Sequence, residues 1–137
     1  MDRYGDALVL GVESIDDEHR HLTQLFDEFV TCLKEEGLSE RARTIVEAAL
    51  AAANAHFEHE EALMAETDYP GTAEEKFQHR MLRLHLTTLV GDVLNTGTGS
   101  CDPVTMDNLD TMRRLFTEHI QGPDRDFANF LRAIGIK

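Results

Sequence analysis

His56 and Glu60 stand four residues apart, as do Glu75 and His79, on either side of a Tyr69-Pro70-Gly71 turn in HFEHEEALMAETDYPGTAEEKFQH. Residues four apart share one face of a helix, and each pair falls on the stripe where its helix is otherwise apolar. Ionisable groups in such places cost several kcal/mol unless they are paired or bind a metal. His19 and His119 occupy comparable stripe positions in two other segments. Asp124 follows His119 by five residues, about 500° around a regular helix at ~100° per residue, so an unbroken helix turns it away from the stripe. Gly122-Pro123 intervenes, and a proline removes a backbone hydrogen bond and distorts the ladder, which would let Asp124 swing inward. Four imidazoles and three carboxylates suit divalent or trivalent iron or manganese, with carboxylates able to bridge. Zinc is satisfied by four ligands and would leave several idle. The count favours two ions.

Four helices are needed to bring these residues together. The first has the stripe Ile15, His19, Leu22, Phe26, Phe29, Leu33, with Ser14 or Asp16 as candidate N-cap and an end near Gly37. Ser39 can cap a second, striped by Val46, Ala49, Ala53, His56, Glu60 and Leu63 and stopping before Asp68-Tyr69-Pro70-Gly71. The third carries Glu75, His79, Leu82, Leu86, Leu89 and Val93 after the N-cap candidate Thr72, and ends at the loop Asn95 to Ser100. The fourth opens with Asp102 as N-cap and Pro103 at the first helical position, then Thr105, Leu109, Met112, Phe116 and His119. No segment alternates with a strand's period of two. Short connections make sequential helices antiparallel. The expected fold is all-α, an up-down-up-down antiparallel four-helix bundle with an N-terminal arm over the first fourteen residues and a short C-terminal helix. In that arrangement His19, His56, Glu60, Glu75, His79 and His119 face inward at one end, and a break at Gly122-Pro123 would bring Asp124 to them.

The bulk numbers agree with one domain spanning 1–137 and narrow the partners. A formal charge of −13 argues against nucleic acid or an anionic membrane surface, and bound cations would offset part of it. Cys32 and Cys101 are too few and too far apart for a disulfide framework or a Cys-x-x-Cys zinc site. They suit free thiols in a reducing compartment. The apolar run Ala7 to Val12 lacks the basic flank of a signal peptide and the length of a spanning helix, so the expectation is a soluble cytoplasmic protein.

GVESIDDEH around His19, HFEHEEALM around His56 and Glu60, the Tyr-Pro-Gly turn, His79, and HIQGPDRDF around His119 and Asp124 together resemble the hemerythrin family, its bacterial single-domain members in particular. Tyr4 stands where many bacterial relatives carry tryptophan. The resemblance implies a non-haem di-iron centre with an oxo or hydroxo bridge. His19 and His56 would ligate one iron, His79 and His119 the other, and Glu60 and Asp124 would bridge them. It implies reversible binding of dioxygen or a related small ligand at the iron with fewer protein ligands, here the one held by His19 and His56. With no output domain in the sequence, signalling would need a separate partner, as would any redox exchange.

Glu75 departs from the family pattern, which has His-x-x-x-His where this chain reads Glu75-Lys76-Phe77-Gln78-His79. Either Glu75 is a ligand, or it is the reaching-back carboxylate of a capping box Thr72-Ala73-Glu74-Glu75. As a ligand it stabilises the ferric state and lowers the reduction potential, giving easier autoxidation and less reversible oxygen binding. Two alternatives therefore stand beside oxygen binding, storage or sensing: a di-iron enzyme that reduces or activates peroxide or oxygen, and metal storage or sensing. Asp124 could instead cap the final short helix. His21, His59 and His85 lie off the stripes and read as solvated, with His59 able to touch the site through its neighbour Glu60. Asp16-Asp17 and Glu35-Glu36 read as solvated faces. Leu22, Phe57, Phe116, Ile120 and Phe127 read as a dry wall around the metals.

Overall fold

Each helix forms where its apolar residues recur every three to four positions, and each ends where the chain supplies a stop. The computed structural model describes residues 8–95 and 103–137, without the side chains of 103–105. The elements are α1 (Glu13–Glu36), α2 (Glu40–Thr67), α3 (Thr72–Asn95), α4 (Pro103–His119), a π-helical turn (Ile120–Asp124) and α5 (Arg125–Ala133). No strand occurs among the described residues. Tyr4, Cys101, Asp102, the Thr105 side chain and all but the first residue of the loop Asn95 to Ser100 lie outside them, as does the arm before Leu8.

Cross-helix bonds give the directions. Glu18, early in α1, meets His56, late in α2, and Arg43, early in α2, donates to the Leu94 carbonyl at the end of α3. His119 at the end of α4 faces Glu75 at the start of α3. Sequential helices are therefore antiparallel, as the short connections require. The first and third stripes are buried at every expected position, and Leu109, Met112, Phe116 and His119 are buried on α4. On α2 the stripe ends on Met64, fully buried, and not on Leu63, which is only partly so. From Glu60, four residues advance the helix to within ~40° of the same face and three only to within ~60°, so Met64 is the better placed.

The punctuation follows the sequence in part. Gly37 closes α1 at φ 69°, where a side chain is disfavoured. Ser39 caps α2, its hydroxyl accepting from the Ala42 N–H at 3.2 Å. Ser14 and Asp16 do not cap α1, whose N-cap position is Val12 without a side-chain bond. Nor is Asp16 solvated. It is buried, and its carboxylate accepts from the N–H groups of Leu10 (2.9 Å) and Gly11 (3.0 Å), which ties the described end of the arm to α1 beside the buried Leu10 and Val12. Asp17 and the pair Glu35-Glu36 are exposed as expected.

A candidate metal centre at one end of the bundle

Thr72 is the first residue of α3 and not its cap. The Glu75 N–H bonds to the Gly71 carbonyl, and the Thr72 hydroxyl donates to the Tyr69 carbonyl at 2.6 Å. The capping box is therefore not formed, and the Glu75 carboxylate, buried, has no hydrogen-bond partner. It points into the bundle, one turn before His79.

The end of α4 solves the placement of Asp124. Ile120–Asp124, with Pro123 inside it, is π-helical. An i→i+5 repeat carries a residue five positions on by about one turn, so Asp124 returns to the face of His119. Its side chain caps nothing in α5. One carboxylate oxygen lies 3.0 Å from His119 Nε2 and the other 3.1 Å from His19 Nε2. Phe127, Ala128 and Leu131 are buried on α5, which fixes the register beyond the π turn.

All seven candidate residues converge, each 2 % exposed or less. His19 Nε2 lies 3.1 Å from His56 Nε2, and His56 Nε2 lies 2.5 Å from Glu60 Oε1. The same Glu60 oxygen is 3.8 Å from His79 Nε2, and His119 Nε2 is 3.3 Å from Glu75 Oε1. The donor atoms fall into two groups, His19, His56, Glu60 and Asp124, and Glu75, His79, His119 and Asp124. Asp124 belongs to both.

His19 Nε2 and His56 Nε2 form a hydrogen-bonded pair, but the other donor atoms are close without being aligned as hydrogen bonds. Both oxygens of Glu60, Glu75 and Asp124, and the Nε2 atoms of His79 and His119, are sealed from water with no hydrogen-bond partner. In a structural polar network each donor aims at an acceptor, because an unsatisfied buried polar group costs about 1–3 kcal/mol. Here the ligand atoms of each group instead lie within 4.8 Å of one another. Bonds of about 2.0–2.2 Å from one ion to nitrogen and oxygen set neighbouring ligand atoms about 3 Å apart, so the spacings fit two cations.

The electrostatics say the same. Burial, with the nearby Asp124 and Glu60 charges, pushes the Glu75 carboxyl up to about 11. Burial and Asp124 push Glu60 up to about 8. Burial, His119 beside it adding to the effect, takes His79 down to about 4, and burial lowers His19. His56 is held up at about 10 because Glu60 and Glu18 outweigh its burial. Asp124 is held well below the usual carboxylate range, the His119 and His19 rings overcoming its burial. Protons on Glu75, Glu60 and His56 thus stand where a cation would otherwise balance the charge.

A family model, the hemerythrin HHE cation-binding domain, matches residues 10–131. The chain belongs to the hemerythrin family. No curated protein matched it in a separate comparison. The hemerythrin domain explains why four helices converge on buried histidines and carboxylates, and its description as cation-binding agrees with the two donor groups. The expected dry wall is present around this hemerythrin site: Leu22, Phe57, Phe116, Ile120 and Phe127 are all buried. Phe57 stacks on the His79 ring with centroids 4.5 Å apart.

Two residues beside this hemerythrin cluster were passed over by the sequence reading. Glu18 Oε1 accepts from His56 Nδ1 at 2.7 Å and from His59 Nδ1 at 2.9 Å. Glu61 Oε2 accepts from His79 Nδ1 at 2.9 Å. His59 therefore connects to the site through Glu18 and not through Glu60. The available signal was adjacency, since Glu18 precedes His19 and Glu61 follows Glu60. His21 and His85 are exposed. No helix among the described residues is long and apolar enough to cross a membrane.

Proposed function

We propose that the protein is a non-haem di-iron protein that binds dioxygen, for oxygen binding, storage or sensing, with the whole chain serving as one hemerythrin-like domain. The observation that carries this reading is the pair of donor groups, built from imidazole and carboxylate alone and joined by Asp124. A donor set without thiolate favours iron or manganese over soft-metal sites. His19, His56, Glu60 and Asp124 would hold one ion, and Glu75, His79, His119 and Asp124 the other, with Glu60 reaching toward both. When bound, the metals supply redox chemistry that no side chain here can. The residues hold the ions, keep water out and leave a small ligand as the species able to enter. Signalling or reduction would involve a separate partner, and the free thiol of Cys32 suits a reducing cytoplasm.

A second reading, a di-iron enzyme that reduces or activates peroxide or oxygen, is favoured by one specific observation. Glu75 turns inward where the family pattern has histidine, so the site gains an anion that stabilises the oxidised metal. Admitting air to the reduced, metal-loaded protein separates the two. A long-lived charge-transfer band, reversed by removing oxygen, supports oxygen binding. Rapid passage to the oxidised protein with catalytic loss of added peroxide supports the enzyme. Oxygen-insensitive absorption with a full metal complement would leave metal storage or sensing instead.

A further inference from the structure

Two glutamates that belong to neither donor group touch it from outside. His56 and His79 each direct Nε2 into the cluster, and each gives its other ring nitrogen to a carboxylate: Glu18 at 2.7 Å and Glu61 at 2.9 Å. The histidines are 1 % and 0 % exposed, the glutamates 35 % and 26 %. Each contact crosses between helices, Glu18 on α1 to His56 on α2 and Glu61 on α2 to His79 on α3. One such histidine serves each donor group.

We propose that Glu18 and Glu61 are positioning residues of the metal centre, fixing His56 and His79 with the Nε2 lone pair inward and making both imidazoles stronger donors. This rests on the metal-binding reading above. An acceptor at Nδ1 selects the tautomer whose proton sits there, which leaves Nε2 free for a cation. The carboxylate charge then increases the electron density of the ring. Because each glutamate reaches across to the neighbouring helix, it also sets the separation of the helices at the metal end. Glu18 has a support of its own: His59, one turn beyond His56, donates to the same oxygen and holds the carboxylate at His56 Nδ1.

The competing explanation is a pair of ordinary surface ion pairs, which contribute about 0–1 kcal/mol to folding and nothing to the metal. Ferrous-ion affinity, measured by chelator competition, separates the two for wild type, Glu18→Ala, Glu18→Gln, Glu61→Ala and Glu61→Gln. The proposal predicts binding weakened about 10- to 100-fold in each alanine variant. The glutamine variants lose less, because the amide oxygen still accepts from Nδ1–H. The reduction potential rises in all four, because all four remove the anion. The exchangeable Nδ1–H resonance of the affected histidine is protected in wild type and exchanges rapidly in the alanine variants. Should an alanine variant fail to fold, the glutamine variants carry the test through potential alone. Wild-type affinity to within about twofold, with an unmoved potential and retained proton protection, would overturn the proposal. If wild type itself takes up no metal, the reading of function fails and not this assignment.

Discussion

Replacing Glu75 with glutamine should move stability and metal binding in opposite directions. In the metal-free protein the Glu75 carboxyl is pushed from 4.5 to about 11, first by burial and then by Asp124 and Glu60. Below pH 4.5 the carboxyl is protonated both folded and unfolded and contributes no pH dependence. Above it the unfolded chain ionises while the folded one holds its proton, so folding loses about 1.4 kcal/mol per pH unit. By pH 7 that amounts to about 3 kcal/mol. Glu75→Gln keeps the shape without the acid, so the metal-free variant should exceed wild type by about 1–3 kcal/mol at pH 7, the lower bound allowing for an imperfectly paired buried amide. The advantage should vanish near pH 4.5 and grow toward pH 8. Urea denaturation of both metal-free proteins at several pH values measures it. Metal-loaded, the order should invert, since glutamine is a neutral and weaker ligand. A glutamine variant less stable than wild type at pH 8 without metal, or one that binds iron as tightly, would refute the reasoning.

Metal uptake at pH 7 should release protons, because Glu60, Glu75 and His56 are held up at about 8, 11 and 10, and affinity should rise from pH 6 to pH 8; calorimetry in buffers of different ionisation enthalpy reads both. Asp16→Ala should destabilise the fold by about 1–3 kcal/mol, since the Leu10 and Gly11 N–H groups lose their acceptor, and thermal melts check it. Phe57→Ala should cost about 3–5 kcal/mol and free the His79 ring, which stacks on Phe57 while the Arg83 guanidinium lies 5.3 Å from the Phe57 ring centroid. Phe57→Leu should recover most of the stability but not the stacking, seen as the line width of the His79 ring resonances.

The sequence carried the bundle because the stripes are long and regular, and it carried six of the seven residues because an ionisable group on such a stripe has few explanations. Asp124 was legible only through its five-residue spacing from His119, at odds with a regular helix. The π turn with Pro123 supplied the missing rotation. Glu75 was undecided because a capping box and a ligand read alike in sequence; the Thr72 hydroxyl bonded to Tyr69 and the Glu75 carboxylate without a hydrogen-bond partner separate them. Asp16 looked solvated because its partners are backbone N–H groups, which carry no sequence signature. Glu18 and Glu61 were hidden for a related reason. Their neighbours in the chain are candidate ligands, but their partners lie on another helix, and a single stripe does not report which outward carboxylate leans across.

Metal content per chain, measured on protein loaded with ferrous iron and freed of loose ions, tests the central claim most directly. Wild type should hold two iron ions per chain, and Asp124→Ala, which removes the residue common to both donor groups, should hold fewer. A single ion per chain, or a preference for zinc over iron in competition, would contradict the two-ion centre.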